Sequence, residues 1–256
     1  MKPRMKRDLR GISIHFESKG QGRPFLMLHG SPSDHARAMA EVEPAFRSRR
    51  GWRRVYPDLP GHGKTPGTAR IHDMDDYLGV VLEFIDEVFG EERFSIGGIS
   101  LGAYLALGVA RKRKARIQGL LLSVPEVNFS PLEDRRDEEF HTPSIQTPPH
   151  LASNLPEYSE DTAWLSSLPF HDVTFPLYRS NKPFRAPALF LFGRQDAPFR
   201  YQEYWKMLPD FPQATYAILD GAGHTLWDDR NKLACDLVRD WLDRVEAWAP
   251  KKTRSR

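Results

Sequence analysis

The stretch Gly98-Ile99-Ser100-Leu101-Gly102 is where this sequence could do chemistry. It ends an apolar run of strand character, residues 94–98, and opens a helical pattern over residues 101–112. A serine at such a strand-to-helix turn occupies a sharp, strained backbone, and small residues two places before and after it let neighbouring backbone pass close by. Its hydroxyl then stands at the sheet edge beside a helix N-terminus, which favours developing negative charge. A serine hydroxyl is a poor nucleophile at neutral pH and needs an adjacent base to take its proton. Nine histidines are available for that. The chemistry indicated is acyl transfer through a serine ester; a glycine-rich turn holding an incidental serine is the structural alternative.

Positioning such a turn takes a sheet and its covering helices. Residues 12–16 alternate apolar and polar as a half-buried strand does, and residues 24–28 are wholly apolar, as in a strand buried on both faces. Ser33-Asp34 should cap a helix running to about residue 49. Residues 52–56 read as a strand, and 75–89 carry apolar side chains at helical spacing. After the 94–98 strand and the 101–112 helix comes a strand at 117–124. The rhythm resumes with strand 188–192, helix 200–208, strand 215–219 and helix 232–247. This alternation predicts an α/β fold, a mostly parallel sheet flanked by helices. Between the two halves, residues 126–186 are rich in proline and acidic residues and poor in periodicity. That is too long for an ordinary connection, so it is expected to be a lid inserted into a single domain spanning residues 1–256.

Composition narrows the function. The chain is 40% hydrophobic and 28% charged, with 15 Phe, 6 Trp and 8 Tyr, so disordered and disulfide-dense classes are excluded. A single cysteine, Cys235, cannot form an intrachain disulfide, which suits a cytoplasmic protein. No apolar run approaches the ~20 residues of a membrane helix, and the basic start lacks the apolar core of a signal peptide. The formal net charge is +3, but residues 1–10 and 250–256 each carry +4, leaving −5 on the body. The positive charge therefore belongs to the ends, and the expected partner is a small-molecule substrate, with no nucleic acid and no membrane. No Cys/His spacing suits a metal, and no glycine fingerprint suits a nucleotide, so no cofactor is expected.

With these stretches in hand, the chain resembles the α/β-hydrolase superfamily over nearly its full length. Leu28-His29-Gly30-Ser31-Pro32 is similar to the family's oxyanion-loop motif, and Asp58-Leu59-Pro60-Gly61-His62-Gly63-Lys64-Thr65 to its D-x-P-G-x-G-x-S segment. Gly98–Gly102 matches the nucleophile elbow, Gly193-Arg194-Gln195-Asp196 the acid turn, and Gly221-Ala222-Gly223-His224 the histidine loop. The order Ser, Asp, His is the one this family uses. The resemblance implies an eight-stranded, mostly parallel sheet with a short antiparallel start and a lid after the sixth strand. It makes Ser100 the nucleophile, His224 the general base and Asp196 the residue that orients the imidazole. Glu126, which follows the preceding strand, is the alternative acid. The backbone N–H groups of Ser31 and Leu101 would form the oxyanion hole, with His29 supporting that loop.

The substrate implied is a small carboxylic ester, cleaved without a cofactor. Trp227, three residues from His224, is expected to line the substrate pocket together with Trp164 and Phe170 of the lid. A serine nucleophile argues against the epoxide-hydrolase and haloalkane-dehalogenase branches, which use Asp there. Amides or peptides, lactones, thioesters and carbon–carbon bonds remain open as substrates, as does a ligand-binding protein that keeps the fold without turnover. The sequence His29-Gly30-Ser31-Pro32-Ser33 departs from the H-G-G-P-G usual in the iminopeptidases.

Overall fold

The apolar runs become strands that feed a core on each side of one sheet. A computed structural model describes residues 7–9, 11–125, 182–196 and 201–248. These form strands β1 (Arg7–Leu9), β2 (Ile12–Ile14), β3 (Phe16–Lys19), β4 (Arg23–Leu28), β5 (Trp52–Pro57), β6 (Phe94–Ile99), β7 (Ile117–Ser123), β8 (Ala188–Gly193) and β9 (Ala214–Leu219). The α-helices are α1 (His35–Phe46), α2 (Met74–Phe89), α3 (Leu101–Lys112), α4 (Leu226–Asp229) and α5 (Asn231–Ala247). Seven strands make the sheet, in the order β3-β5-β4-β6-β7-β8-β9. All its pairings are parallel except β3 with β5.

Strand alternation sorts the core. In β4, Leu26 and Leu28 join the cluster that α2 and α3 cover, whereas Phe25 and Met27 join the one beneath α1 and α5. The helix starts obey local chemistry. Asp34 accepts the Arg37 N–H at 2.9 Å and Asp73 accepts that of Asp76 at 2.8 Å, each satisfying an otherwise unpaired donor of its helix's first turn.

Among the described residues, the expected eight-stranded sheet is corrected to seven strands plus a separate two-stranded hairpin, β1 with β2. The expected strand over residues 12–16 is split between them. β3 pairs with β5 only as far as Phe16 opposite Pro57, where Asp58 still donates to the His15 carbonyl at 2.8 Å. Beyond that point the chain turns away through Pro60 and Gly61 (φ 80°), so the residues before His15 have no sheet neighbour and pair with each other. The expected helix over 200–208 is a 3₁₀ stretch, Tyr201–Asp210, with Pro209 inside it.

The lid expected over 126–186 falls on residues outside those described, apart from 182–186. Of these, Phe184 and Ala186 are buried in the main core and belong to the body. Among the described residues, no helix is long and apolar enough to cross a membrane.

Candidate active site

Ser100 stands at the carboxyl end of β6, immediately before α3, with φ 52° and ψ −118°. A side-chain-bearing residue in this region stores strain, which persists only where the surroundings enforce it. Close backbone packing does so here. A Cβ on Gly98 would lie 2.1 Å from the Gly102 carbonyl oxygen, and one on Gly102 would lie 2.4 Å from that of Leu28. Both positions therefore require glycine. The Ser100 amide donates to the Ser123 carbonyl at 2.9 Å, tying the turn to β7.

β8 and β9 bring the other two side chains to the same edge. His224 Nε2 lies 2.9 Å from Ser100 Oγ, and its Nδ1 lies 2.9 Å from Asp196 Oδ2. With Nδ1–H donated to the carboxylate, Nε2 is left as the acceptor of the serine proton. The Asp196 side chain is 1% exposed and that of His224 35%. The structure thus brings together Ser100, His224 and Asp196, whereas Glu126 lies outside the described residues.

A residue not singled out in the sequence positions this line. Gln195 Oε1 accepts the amides of Gly221 and Ala222, each at 3.1 Å, and its own amide donates to the Ala222 carbonyl at 2.9 Å. The acid turn and the histidine loop are so close that a Cβ on Gly193 would meet the Gly223 carbonyl oxygen at 2.3 Å. Asp229 accepts the Gly223 amide at 2.9 Å from the far side.

The loop at Ser31 is held by two neutral histidines. His29 Nε2 accepts the Leu59 amide at 2.9 Å, so its proton sits on Nδ1, which donates to the Gly30 carbonyl at 2.6 Å. Burial, followed by the neighbouring His62, lowers the His29 pKa to about 3. His62 Nδ1 donates to the Pro60 carbonyl at 3.1 Å, and Nε2 accepts the Ser31 hydroxyl at 2.9 Å. Burial lowers its pKa as well. His29 therefore does support this loop, by hydrogen bonds rather than charge. Neither the Ser31 nor the Leu101 amide has an acceptor among the described residues.

A cavity beside Ser100 is lined by Ser31, Arg37, Glu41, His224 and Trp227, among others. Trp227 is 3% exposed and donates Nε1–H to Ser123 Oγ at 3.0 Å, which fixes its indole as a wall. Trp164 and Phe170 lie outside the described residues. Arg37 donates Nε–H to Glu41 at 2.7 Å and Nη2–H to Asp228 at 2.5 Å, setting one cation between two carboxylates. A pair four residues apart reads in sequence as a solvated helix face; only the approach of Asp228 from α4 places it indoors.

Burial pushes the Glu41 pKa up to about 7, Arg37 opposing the shift and Asp228 adding to it. The folded chain then holds a proton that the unfolded chain releases. The resulting stabilisation is complete below the ordinary carboxylate range and is lost as pH rises through about 7. Its ceiling is roughly 3 kcal/mol at ~1.4 kcal/mol per pKa unit. Glu41→Gln should therefore gain stability over wild type as pH rises from about 5 to about 8. Thermal melting of the two proteins across that range checks this, and a constant gap would exclude titration of Glu41.

Among the described residues there is one further histidine cluster. His15, His35 and Asp58 offer ligand atoms within 4.8 Å of one another, all buried. Asp58 Oδ1 lies 2.8 Å from the His35 amide and 2.7 Å from His35 Nδ1, and Oδ2 accepts the Lys64 amide at 2.9 Å. The carboxylate is thereby committed to bracing the segment after β5.

Comparison with known proteins places the chain in a wider setting. A family model described as "Alpha/beta hydrolase family" matches residues 25–236. The chain is 24% identical over 265 residues to a 2-hydroxy-6-oxononadienedioate/2-hydroxy-6-oxononatrienedioate hydrolase 2 of Pseudomonas putida, covering 89% of this chain and 92% of that protein. It is 34% identical over 110 residues to a pimeloyl-[acyl-carrier protein] methyl ester esterase of Nitrosomonas europaea, covering 43% of this chain and 40% of that one. For the first curated relatives it matches, the chain spans only 37% of their length. A solved alpha/beta superfamily hydrolase from Oenococcus oeni PSU-1 superposes with a TM-score of 0.74 at 25% identity, covering 91% of this chain and 96% of that one.

Proposed function

As the chain belongs to the alpha/beta hydrolase family, we propose that it is a cofactor-free serine hydrolase cleaving small carboxylic esters through an acyl-enzyme. The observation that carries this reading is the hydrogen-bonded line from Ser100 Oγ through His224 to Asp196, 2.9 Å at each step. Ser100 attacks the ester carbonyl while His224 Nε2 takes its proton. The tetrahedral oxyanion is received by the amides of Ser31 and Leu101 at the start of α3, each donor worth on the order of 10²–10³ in kcat. His224 returns the proton to the departing alcohol. It then activates a water that releases the acid from Ser100. Asp196 holds the imidazole in the tautomer this requires and stabilises its charged form. Trp227 walls the acyl or alcohol side of the cavity. We assign the work to a small-molecule substrate in the cytoplasm, without nucleic acid or membrane.

Two measurements test the reading. A fluorophosphonate probe should label the wild-type protein on Ser100 and leave Ser100→Ala unlabelled, since only an activated serine reacts. Across a panel of p-nitrophenyl esters, amides and lactones, the short-chain esters should turn over fastest. Their kcat/KM should fall on the acid side as His224 takes up a proton. A ligand-binding protein without turnover would show neither labelling nor that limb.

A further inference from the structure

At the opposite edge of the sheet from Ser100, around the amino ends of β7, β8 and β9, lies a second cavity of about 160 Å³. Its apolar walls include Leu107 and Ala110 of α3, together with Phe184 and Phe211, whose rings are 5.6 Å apart. Its polar groups are Arg111, Lys114 and Asp210. A space near 150 Å³ accommodates a benzene-sized body.

The cations of this cavity differ from the ion-paired arginines of the fold, although Arg93, over the Trp248 ring, also has a buried Nε without a partner. Arg37, Arg49, Arg54, Arg113 and Arg116 each hold a carboxylate within 2.9 Å. Among the described residues Arg111 has no ion pair, and its Nε is buried with no hydrogen-bond partner. A buried donor left unsatisfied is costly, because it has given up its water without gaining an acceptor. Lys114 likewise has no paired carboxylate among the described residues. Burial lowers its pKa, and Arg111, Lys182 and Arg185 press it further the same way, against the single opposing charge of Asp210. Cations at the end of α3 are favoured by the helix dipole, which explains their presence. It does not explain an arginine Nε turned away from water without an acceptor.

We propose that this cavity binds a small amphipathic anion, with Arg111 and Lys114 holding a phosphate or carboxylate head group and Phe184 and Phe211 holding a ring or short alkyl body. The head group supplies the negative charge that neither Arg111 nor Lys114 has in an ion pair among the described residues. Because the cavity lies across the sheet from the proposed nucleophile, the site does not depend on Ser100.

Calorimetric titration of the whole protein with phenyl phosphate, benzoate, inorganic phosphate and benzyl alcohol tests this. At least one aromatic anion should saturate with a Kd below about 1 mM. Inorganic phosphate should bind at least tenfold more weakly, and benzyl alcohol should not saturate. Which of phenyl phosphate and benzoate binds tighter identifies the head group. The double variant Arg111→Met, Lys114→Met should weaken the anion roughly thirtyfold or more, while ester hydrolysis stays within about twofold and so reports an intact fold. Ser100→Ala should bind the anion as wild type does. Absence of saturation by either aromatic anion, undiminished binding by the double variant, or loss of binding in Ser100→Ala would each overturn the proposal.

Discussion

Ser100→Ala should lower kcat for the best ester by about 10⁶ while leaving the thermal melting point nearly unchanged. The substitution removes one oxygen and disturbs little else. Alanine takes no more room than serine at φ 52° and ψ −118°, and the closely packed glycines around the turn are untouched. The hydrogen bond from Oγ to His224 is lost, but that histidine is still held at Nδ1 by Asp196. What remains is an oxyanion site and a cavity without a nucleophile, which in a comparable triad retain only ~10³–10⁴ over water. His224→Ala should fall to a similar level, because a serine without its base is nearly as inert as no serine at all. The double variant Ser100→Ala, His224→Ala should then be no worse than either single one. That non-additivity is the signature of residues acting as a unit. A Ser100→Ala enzyme retaining activity within tenfold of wild type would remove Ser100 from the proposed role.

The elbow is legible in the sequence because its requirement is local. A strained serine flanked by glycines between an apolar run and a helical run has few other uses, and the close contacts at Gly98 and Gly102 show why neither could be replaced. The helix start at Asp34 is legible for the same reason, since an Asx cap acts within three residues. Features built from distant pieces are not. Arg37 and Asp228 meet across 191 positions, so nothing near α1 announces that its charged face lines a cavity. Gln195 sits within a motif yet gains its meaning only from the loop 26–27 residues later that it pins. The hairpin β1–β2 was hidden by a similar dependence. Residues 12–16 carry a good strand pattern, and it is the turn at Pro60 and Gly61, far along the chain, that denies half of it a place in the sheet.

Asp196→Asn should lose at least a hundredfold in kcat, toward the ~10⁴ seen for the equivalent change in a model protease. Asp196 Oδ2 is the single carboxylate oxygen against His224 Nδ1, 2.9 Å away, in a side chain almost wholly shielded from solvent. An ionised carboxylate can only accept, so it dictates that the imidazole proton sits on Nδ1 and that Nε2 faces Ser100 as a base. Asparagine removes that certainty. With its NH₂ toward Nδ1 it stabilises the tautomer that carries the proton on Nε2, which cannot take one from the hydroxyl. With its oxygen toward Nδ1 the tautomer is right, but no negative charge offsets the imidazolium that forms during attack. Either orientation raises the barrier, and burial leaves no water to soften the loss. The loop itself should hold, since Gln195 and Asp229 bind the histidine loop independently of Asp196. Variants compared at matched thermal melting would separate lost chemistry from lost folding. Glu126→Gln, measured alongside, should change kcat by less than tenfold; the reverse ranking would move the acid, and the control of the His224 tautomer, to the end of the strand before.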